Sequence, residues 1–334
     1  MENRKIVFRA PWEVACETEE VRLTPGAGEM LVETQYSLIS TGTELACLSG
    51  GESWFKMPGV PGYCCVSKVL EAGEGAAFKP GDVIFHYGMH CRYQLTSPDD
   101  YNLIVKVPDG LDIKNIPMVR MATIAFTSIR VSDIQLGDVV LVSGLGLVGN
   151  MAAQLAQLSG ATVIGVDPAP ARRELAKRVG IDCAVSPEEA AEAVKAVTDG
   201  RGCNTVIEAT GIPACAEQCL KYVGYHGEII FLGTPRGNYQ TNLAEILRYS
   251  HLDDLGCVTF KGAHEWRLPT TRQRFNKHSI ERNTQVCFDQ IIRGKLHLGE
   301  LVSHVVSPEE AADIYLKLNA DRNAYLGIII DWKE

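Results

Sequence analysis

No stretch of the 334-residue chain is apolar for long enough to span a bilayer, although hydrophobic residues make up 46% of it. The opening Met1-Glu2-Asn3-Arg4-Lys5 is not followed by an apolar signal region, so a cytoplasmic location is the expectation. Positive charge is also in short supply. Lys and Arg total 32 against 41 Asp and Glu, a formal net charge of −9. That balance argues against nucleic acid or an anionic membrane surface as a partner and leaves a small-molecule substrate as the expectation. There is no internal repeat, which excludes a solenoid, and no low-complexity segment. Eleven cysteines are present, but they fall on unrelated stretches of a long chain. Without an export signal they read as reduced thiols rather than a disulfide framework.

What is there begins with length enough for two domains, each with its own core. The most informative stretch is 139–167. A buried-type run, Val139-Val140-Leu141-Val142-Ser143, meets Gly144-Leu145-Gly146-Leu147-Val148-Gly149. A helical pattern follows to Leu158, then Gly160, then Thr162-Val163-Ile164-Gly165-Val166 and Asp167. Alone, G-x-G-x-x-G is a weak signal. Between a strand and a helix, with an acid about 20 residues on, it reads as a dinucleotide fingerprint. Gly144 permits the tight turn, Gly146 lets the backbone approach a pyrophosphate, and Gly149 lets helix and strand pack closely. The helix N-terminus, at Leu147 and Val148, offers free N–H groups to the phosphates. Asp167 is placed to accept hydrogen bonds from the ribose hydroxyls, and its charge disfavours a 2′-phosphate, so NAD is the expected cofactor. The competing reading is a doubly wound sheet with a glycine turn and no ligand.

Residues 1 to about 120 look β-rich, with short apolar runs such as 30–32, 66–70 and 83–85 broken by Pro-Gly turns. From 121 to 265 strands and helices alternate. Helices are expected at Ala169–Val179, Pro187–Val197 and Pro213–Val223, and strands at Asn204–Glu208 and Glu228–Leu232. Right-handed crossovers then give a parallel sheet with helices on both faces, an α/β class. A ligand sits at the carboxyl ends of such strands, which brings in Thr210, Leu232, Gly233 and Thr234. The segment 266–334 mixes a basic loop (Arg267, Arg272, Arg274, Lys277), a helix near Thr284–Arg293, a strand near Leu301–Val306, a helix from Pro308 and a final strand, Gly327–Ile330.

Over its whole length the chain resembles the medium-chain dehydrogenase/reductase superfamily, the alcohol and sorbitol dehydrogenase relatives. The matching pieces include Lys79-Pro80-Gly81-Asp82, Leu136-Gly137-Asp138-Val139-Val140, the glycine turn, Ile207-Glu208-Ala209-Thr210-Gly211 and Gly227 to Gly233. The resemblance implies a GroES-like β-rich domain over 1–120, a Rossmann NAD-binding domain over 121–265 with a doubly wound parallel sheet, and a return segment over 266–334 that completes the first domain. It also implies that Arg172 lies near the adenosine. Zinc members of the superfamily supply a cysteine, a Gly-His-Glu and a later cysteine or glutamate. Here Ser40 stands at the first position, Tyr63 at the histidine and Arg120 at the last. None is a zinc ligand type. A cation 4 Å from another is repelled by roughly 4 kcal/mol per unit charge at an effective dielectric of about 20, so Arg120 replaces a metal's charge rather than neighbouring one. The pattern Ser-x-Gly-Thr-Glu with Gly-Tyr-x-x-Val resembles a zinc-free branch that includes bacteriochlorophyllide hydroxyethyl dehydrogenases. No metal is expected.

The resemblance then assigns roles. Tyr63 points its hydroxyl at the reacting oxygen and gives up a proton in the reductive direction, with Arg120 as the cation that lowers its pKa. Thr43 matches a hydroxyl relay and Glu44 a second-layer acid that pairs with Arg120 or holds it. Each has a plainer alternative: Tyr63 as a plug for the void left by zinc, Arg120 as a structural ion pair with Glu44, and Thr43 and Ser40 as loop hydrogen bonders. His90, in Phe85–Cys91, is expected on a loop facing the substrate as a polar contact, while Cys64 and Cys65 are expected to be packing residues. The expected activity is an NAD(H)-dependent, zinc-independent interconversion of a secondary alcohol and a ketone on a polar substrate such as a sugar, polyol or glycoside. The alternatives are an NADPH-type quinone or enoyl reductase and a non-catalytic dinucleotide-binding sensor. Family resemblance makes a homodimer or homotetramer the expectation.

Overall fold

The computed structural model describes residues 1–321 and 323–333, and they form two compact units. The first contains residues 1–120, 269–288 and 301–334; the second contains 121–268 and 289–300. The opening stretch of the first unit ends at Arg120. The segment from 266 onward does not return as one piece, because 289–300 groups with the second unit.

The second unit is a six-stranded parallel sheet. Its order is Cys183–Val185, Thr162–Val166, Val139–Ser143, Cys203–Glu208, Val223–Phe231, Thr259–Gly262. Numbered along the chain this is 3-2-1-4-5-6, the doubly wound Rossmann order. The strand order reverses between Val139–Ser143 and Cys203–Glu208, which pair with Ser143 beside Glu208. A ligand crevice is expected at their carboxyl ends. Val140, Leu141 and Val142 are fully buried, as a central strand covered on both faces requires. The helix Leu147–Leu158 buries Met151, Ala152, Ala153 and Ala156 completely, and its run of small residues lets it lie close to the sheet.

The first unit is built on a mixed, mainly antiparallel seven-stranded sheet. Its path is Val302–Val306, Gly327–Asp331, Met30–Ile39, Cys65–Ala72, Val83–His86, Ile104–Lys106, with Tyr93–Thr96 also pairing Met30–Ile39. A hairpin, Glu2–Ala10 with Glu13–Glu20, forms a separate two-stranded sheet. The helix Pro308–Ala320 starts on a capping box in which Ser307 and Glu310 satisfy each other's backbone N–H, with proline at its first position. It packs Ile314, Tyr315 and Leu318 into a core with Phe8, Leu45, Ile328 and Trp332. Tyr315 meets Phe8 edge-on at 5.0 Å. This packing fixes Tyr315 beside the short helix Thr41–Leu48, which carries Thr43 and Glu44.

Several elements depart from the sequence expectations. The helix expected at 187–197 runs Ala190–Thr198, with Pro187 in the turn before it. The helix expected at 213–223 stops at Gln218, a 3₁₀ turn follows, and the next strand already begins at Val223. The helices Thr41–Leu48 and Leu243–His251 had no sequence expectation.

Candidate active site

In the second unit the glycine turn sits at the reversal point. Gly144 has φ +93°, and a Cβ there would lie 2.7 Å from Thr210 Cγ2. Gly149 is more constrained, since a Cβ would fall 1.8 Å from the carbonyl oxygen of Gly144. Gly146 differs from both. Its φ of −61° suits any residue, and an added Cβ would meet nothing nearer than Arg172 Nη1 at 3.9 Å. The protein's own packing therefore demands glycine at 144 and 149 but not at 146. The space over Gly146 is open. Leu147 and Val148 open the helix, with no side chain capping its N-terminal N–H groups.

Asp167 follows the second strand and is 2% exposed. Its Oδ2 accepts from Leu145 N at 2.9 Å and its Oδ1 from Ala169 N at 2.8 Å. Arg172 Nη1 approaches Oδ2 at 3.5 Å. An ionised carboxylate has about four acceptor positions, so this pinned group retains capacity for ribose hydroxyls. Arg173 spends a guanidinium nitrogen on the carbonyls of Asp167 and Pro168, each at 2.8 Å.

The turns after the fourth and fifth strands lie against each other. Glu208 accepts from the backbone N–H of Thr210 at 2.7 Å and of Gly211 at 3.2 Å, and from the Thr210 hydroxyl. Burial pushes the Glu208 carboxyl up, against these hydrogen bonds. Leu232 N and Gly233 N both donate to the Glu208 carbonyl, at 2.8 and 2.9 Å. A Cβ on Gly233 would lie 2.2 Å from Gly211 N, and one on Gly211 would lie 2.4 Å from the Thr234 carbonyl. The glycine turn, Asp167, Arg172, Thr210, Leu232, Gly233 and Thr234 thus belong to one rim of one sheet. These residues fit a dinucleotide.

In the first unit the other candidates form a second cluster. The half-buried Tyr63 donates its hydroxyl to Ser40 Oγ at 2.5 Å, and Thr43 lies close enough to favour the charged form of the phenol. The Arg120 guanidinium, 5% exposed, lies 3.9 Å from the Tyr87 ring centre and 5.2 Å from that of Tyr63. Tyr87, which the sequence reading did not single out, is therefore nearer to it than Tyr63. Arg120 pulls the Tyr63 pKa down, as the sequence suggested, but burial pushes harder and the net shift is upward. The Tyr63 hydroxyl is therefore protonated, with its hydrogen directed at Ser40.

Glu44 is 2% exposed. Its Oε1 accepts from Ser40 N at 2.9 Å, and its Oε2 takes His90 Nε2 at 3.1 Å and the Tyr315 hydroxyl at 2.5 Å. His90 is fully buried, with Nδ1 on Ser37 Oγ at 2.8 Å, and Trp332 Nε1 donates to that same hydroxyl at 2.8 Å. The expectation of His90 as a substrate-facing contact is corrected: both ring nitrogens are spent inside the protein. Gly62 explains the packing, since a Cβ there would lie 2.7 Å from His90 N. His86 is also fully buried, held on Ser67 Oγ at 2.7 Å. Two arginines of the 267–277 loop are used locally: Arg267 donates to the Gly262 carbonyl and Arg272 to Gln285 Oε1. Sequence reasoning missed Tyr315 and Ser37, which lie 271 and 7 residues from Glu44 and carry no motif. Among the described residues, no group of three or more His, Cys, Asp or Glu side chains is placed to hold a metal ion.

Comparison with known proteins agrees with the fold. A family model described as zinc-binding dehydrogenase matches residues 148–271. The chain is 26% identical over 261 residues to D-guloside 3-dehydrogenase of Shigella flexneri, covering 77% of this chain and 72% of that protein. It is 26% identical over 315 residues to L-threonine 3-dehydrogenase of Pyrococcus abyssi, 84% of each. A Sinorhizobium meliloti structure bound to NADP superposes with TM-score 0.80 at 20% identity, over 99% of both chains. The chain is similar to the alcohol and polyol dehydrogenases of the medium-chain dehydrogenase/reductase superfamily. Its class is a dehydrogenase with a dinucleotide-binding Rossmann unit.

Proposed function

We propose that the protein is an NAD(H)-dependent, zinc-independent dehydrogenase that interconverts a secondary alcohol and a ketone on a polar substrate, a sugar, polyol or glycoside. The observation that carries this reading is the Tyr63 hydroxyl, kept protonated by burial, hydrogen-bonded to Ser40 and flanked by Arg120. On the resemblance of the sequence, those three residues correspond to the ligand positions of zinc-using members. A serine hydroxyl engaged by a phenol and a guanidinium stacked on two tyrosines do not fit a catalytic zinc, which needs three ligands of Cys, His or carboxylate type. The names of the relatives, a guloside and a threonine dehydrogenase, support a hydroxyl-bearing polar substrate.

The nicotinamide, when bound, supplies or accepts the hydride. The chain's residues have the oxygen to manage. In the reductive direction Tyr63 gives its proton to the carbonyl oxygen as the carbon is reduced, and the positive charge of Arg120 stabilises the oxygen while it is electron-rich. Glu44, locked by His90 and Tyr315, holds the start of the helix Thr41–Leu48, from which Thr43 reaches the phenol.

NAD is favoured by the pinned Asp167 carboxylate, whose charge repels a 2′-phosphate. NADH and NADPH titrations followed by nicotinamide fluorescence test this. NADH is expected to bind more tightly, with the gap closing in Asp167→Asn. Tighter NADPH binding would overturn the assignment and favour the quinone or enoyl reductase reading. A homodimer or homotetramer is supported by the open sheet edge at Thr259–Gly262 and by Leu243 and Leu247 on a neighbouring helix, 61% and 55% exposed. The eleven cysteines, all thiols, suit a cytoplasmic location.

A further inference from the structure

Ser40 occupies the N-cap of the helix Thr41–Leu48, with extended backbone angles of φ −86° and ψ 90°. A serine there ordinarily turns its oxygen onto the N–H of the second or third helical residue, an interaction worth about 1 kcal/mol. Ser40 does not: no side-chain cap is made, and its hydroxyl goes to Tyr63 at 2.5 Å instead. The other half of a capping box is present in displaced form. Glu44, four residues on, accepts the Ser40 backbone N–H at 2.9 Å. The helix start is thus held through the Ser40 main chain, which leaves the side chain to Tyr63. Ser40 is 6% exposed and Tyr63 half-buried, so the pair is largely enclosed but not sealed from solvent.

We propose that Ser40 is the positioning and relay residue of Tyr63, fixing the direction of its hydroxyl and replacing the proton that Tyr63 delivers. The proposal rests on the dehydrogenase reading above, and it moves the relay from Thr43, where resemblance put it, to Ser40. In the reductive direction the carbonyl carbon gains a hydride from the reduced dinucleotide, and the carbonyl oxygen gains the Tyr63 proton. Tyr63 takes a proton from Ser40 Oγ, and Ser40 takes one from solvent. The sum is ketone, NADH and one proton going to alcohol and NAD⁺. In the reverse direction the same hydroxyls pass the proton outward in step, so no free tyrosinate is needed.

The test uses the full chain and the variants Ser40→Ala and Ser40→Thr. Carbon-13 NMR of protein labelled at the tyrosine Cζ, with the Tyr63 signal assigned through Tyr63→Phe, reads the pairing directly. Ser40→Ala is expected to move the Tyr63 resonance and Ser40→Thr to leave it near its wild-type position. Melting temperatures should stay close to wild type, since no cap is lost. Oxidation of methyl D-guloside with NAD⁺ reads the relay. Ser40→Ala should lower kcat by about tenfold or more with KM little changed and alter its solvent isotope effect, while Ser40→Thr restores most of the rate. An unmoved resonance, or a wild-type kcat in Ser40→Ala, would overturn the proposal. A wild-type protein silent on the guloside with the NMR shift intact counts against the dehydrogenase reading instead of the Ser40–Tyr63 pairing.

Discussion

Gly146 and Gly149 sit three residues apart, yet different things require glycine at each. Space inside the protein is closed at Gly149, where a methyl would meet the Gly144 carbonyl at 1.8 Å, and open at Gly146. Gly149→Ala is expected to destabilise the fold by about 1–3 kcal/mol or more through overpacking. Gly146→Ala should leave stability within about 0.5 kcal/mol, as for an unstrained surface change, while weakening NADH binding about tenfold or more. Thermal melts and NADH titrations of both variants separate the two, and a Gly146→Ala protein that binds NADH normally would contradict a pyrophosphate over this turn. His86 offers a second test at the same scale. Burial holds its imidazole down to about 3 from an ordinary 6.5. Between those values the unfolded chain binds a proton that the folded chain does not. The contribution is fully present above about pH 6.5 and is lost as pH falls, by up to about 1.4 kcal/mol per pH unit. Melting curves from about pH 7 to pH 4 should fall less steeply in His86→Gln than in the wild type; parallel slopes would refute the assignment.

At the scale of elements, what could be read in advance followed from periodicity and punctuation. The run Val139–Ser143, the glycine turn and Asp167 lie close together in the chain, so their order alone placed them on one rim of a parallel sheet. The helix from Pro308 was legible from its proline and its two glutamates, but not that it delivers Tyr315 to Glu44 across 271 residues. Contacts of that range leave no local pattern. His90 was misread for the same reason: a polar residue on a glycine-bearing loop looks exposed until the partners that bury it, Ser37, Glu44 and Trp332, are assembled. The short helix Thr41–Leu48 went unread because its Ser-Thr-Gly-Thr start favours turns as much as helix. Tyr315→Phe removes one hydrogen bond to a buried carboxylate and should cost about 1.5–3 kcal/mol in chemical denaturation, with activity reduced through Glu44. A variant of unchanged stability would show that Glu44 is held without it.

At the scale of the whole molecule, the chemistry divides between two units. The second builds a dinucleotide rim from backbone turns and one pinned acid. The first builds a cluster of a serine hydroxyl, a phenol and a guanidinium. The most direct test is turnover of methyl D-guloside by protein dialysed against a strong chelator, with zinc content measured on the same sample and Tyr63→Phe run in parallel. The account predicts that zinc-free wild type keeps its full rate and that Tyr63→Phe loses about a hundredfold or more. Activity that disappears with chelation and returns with zinc, or a Tyr63→Phe protein as fast as wild type, would contradict it.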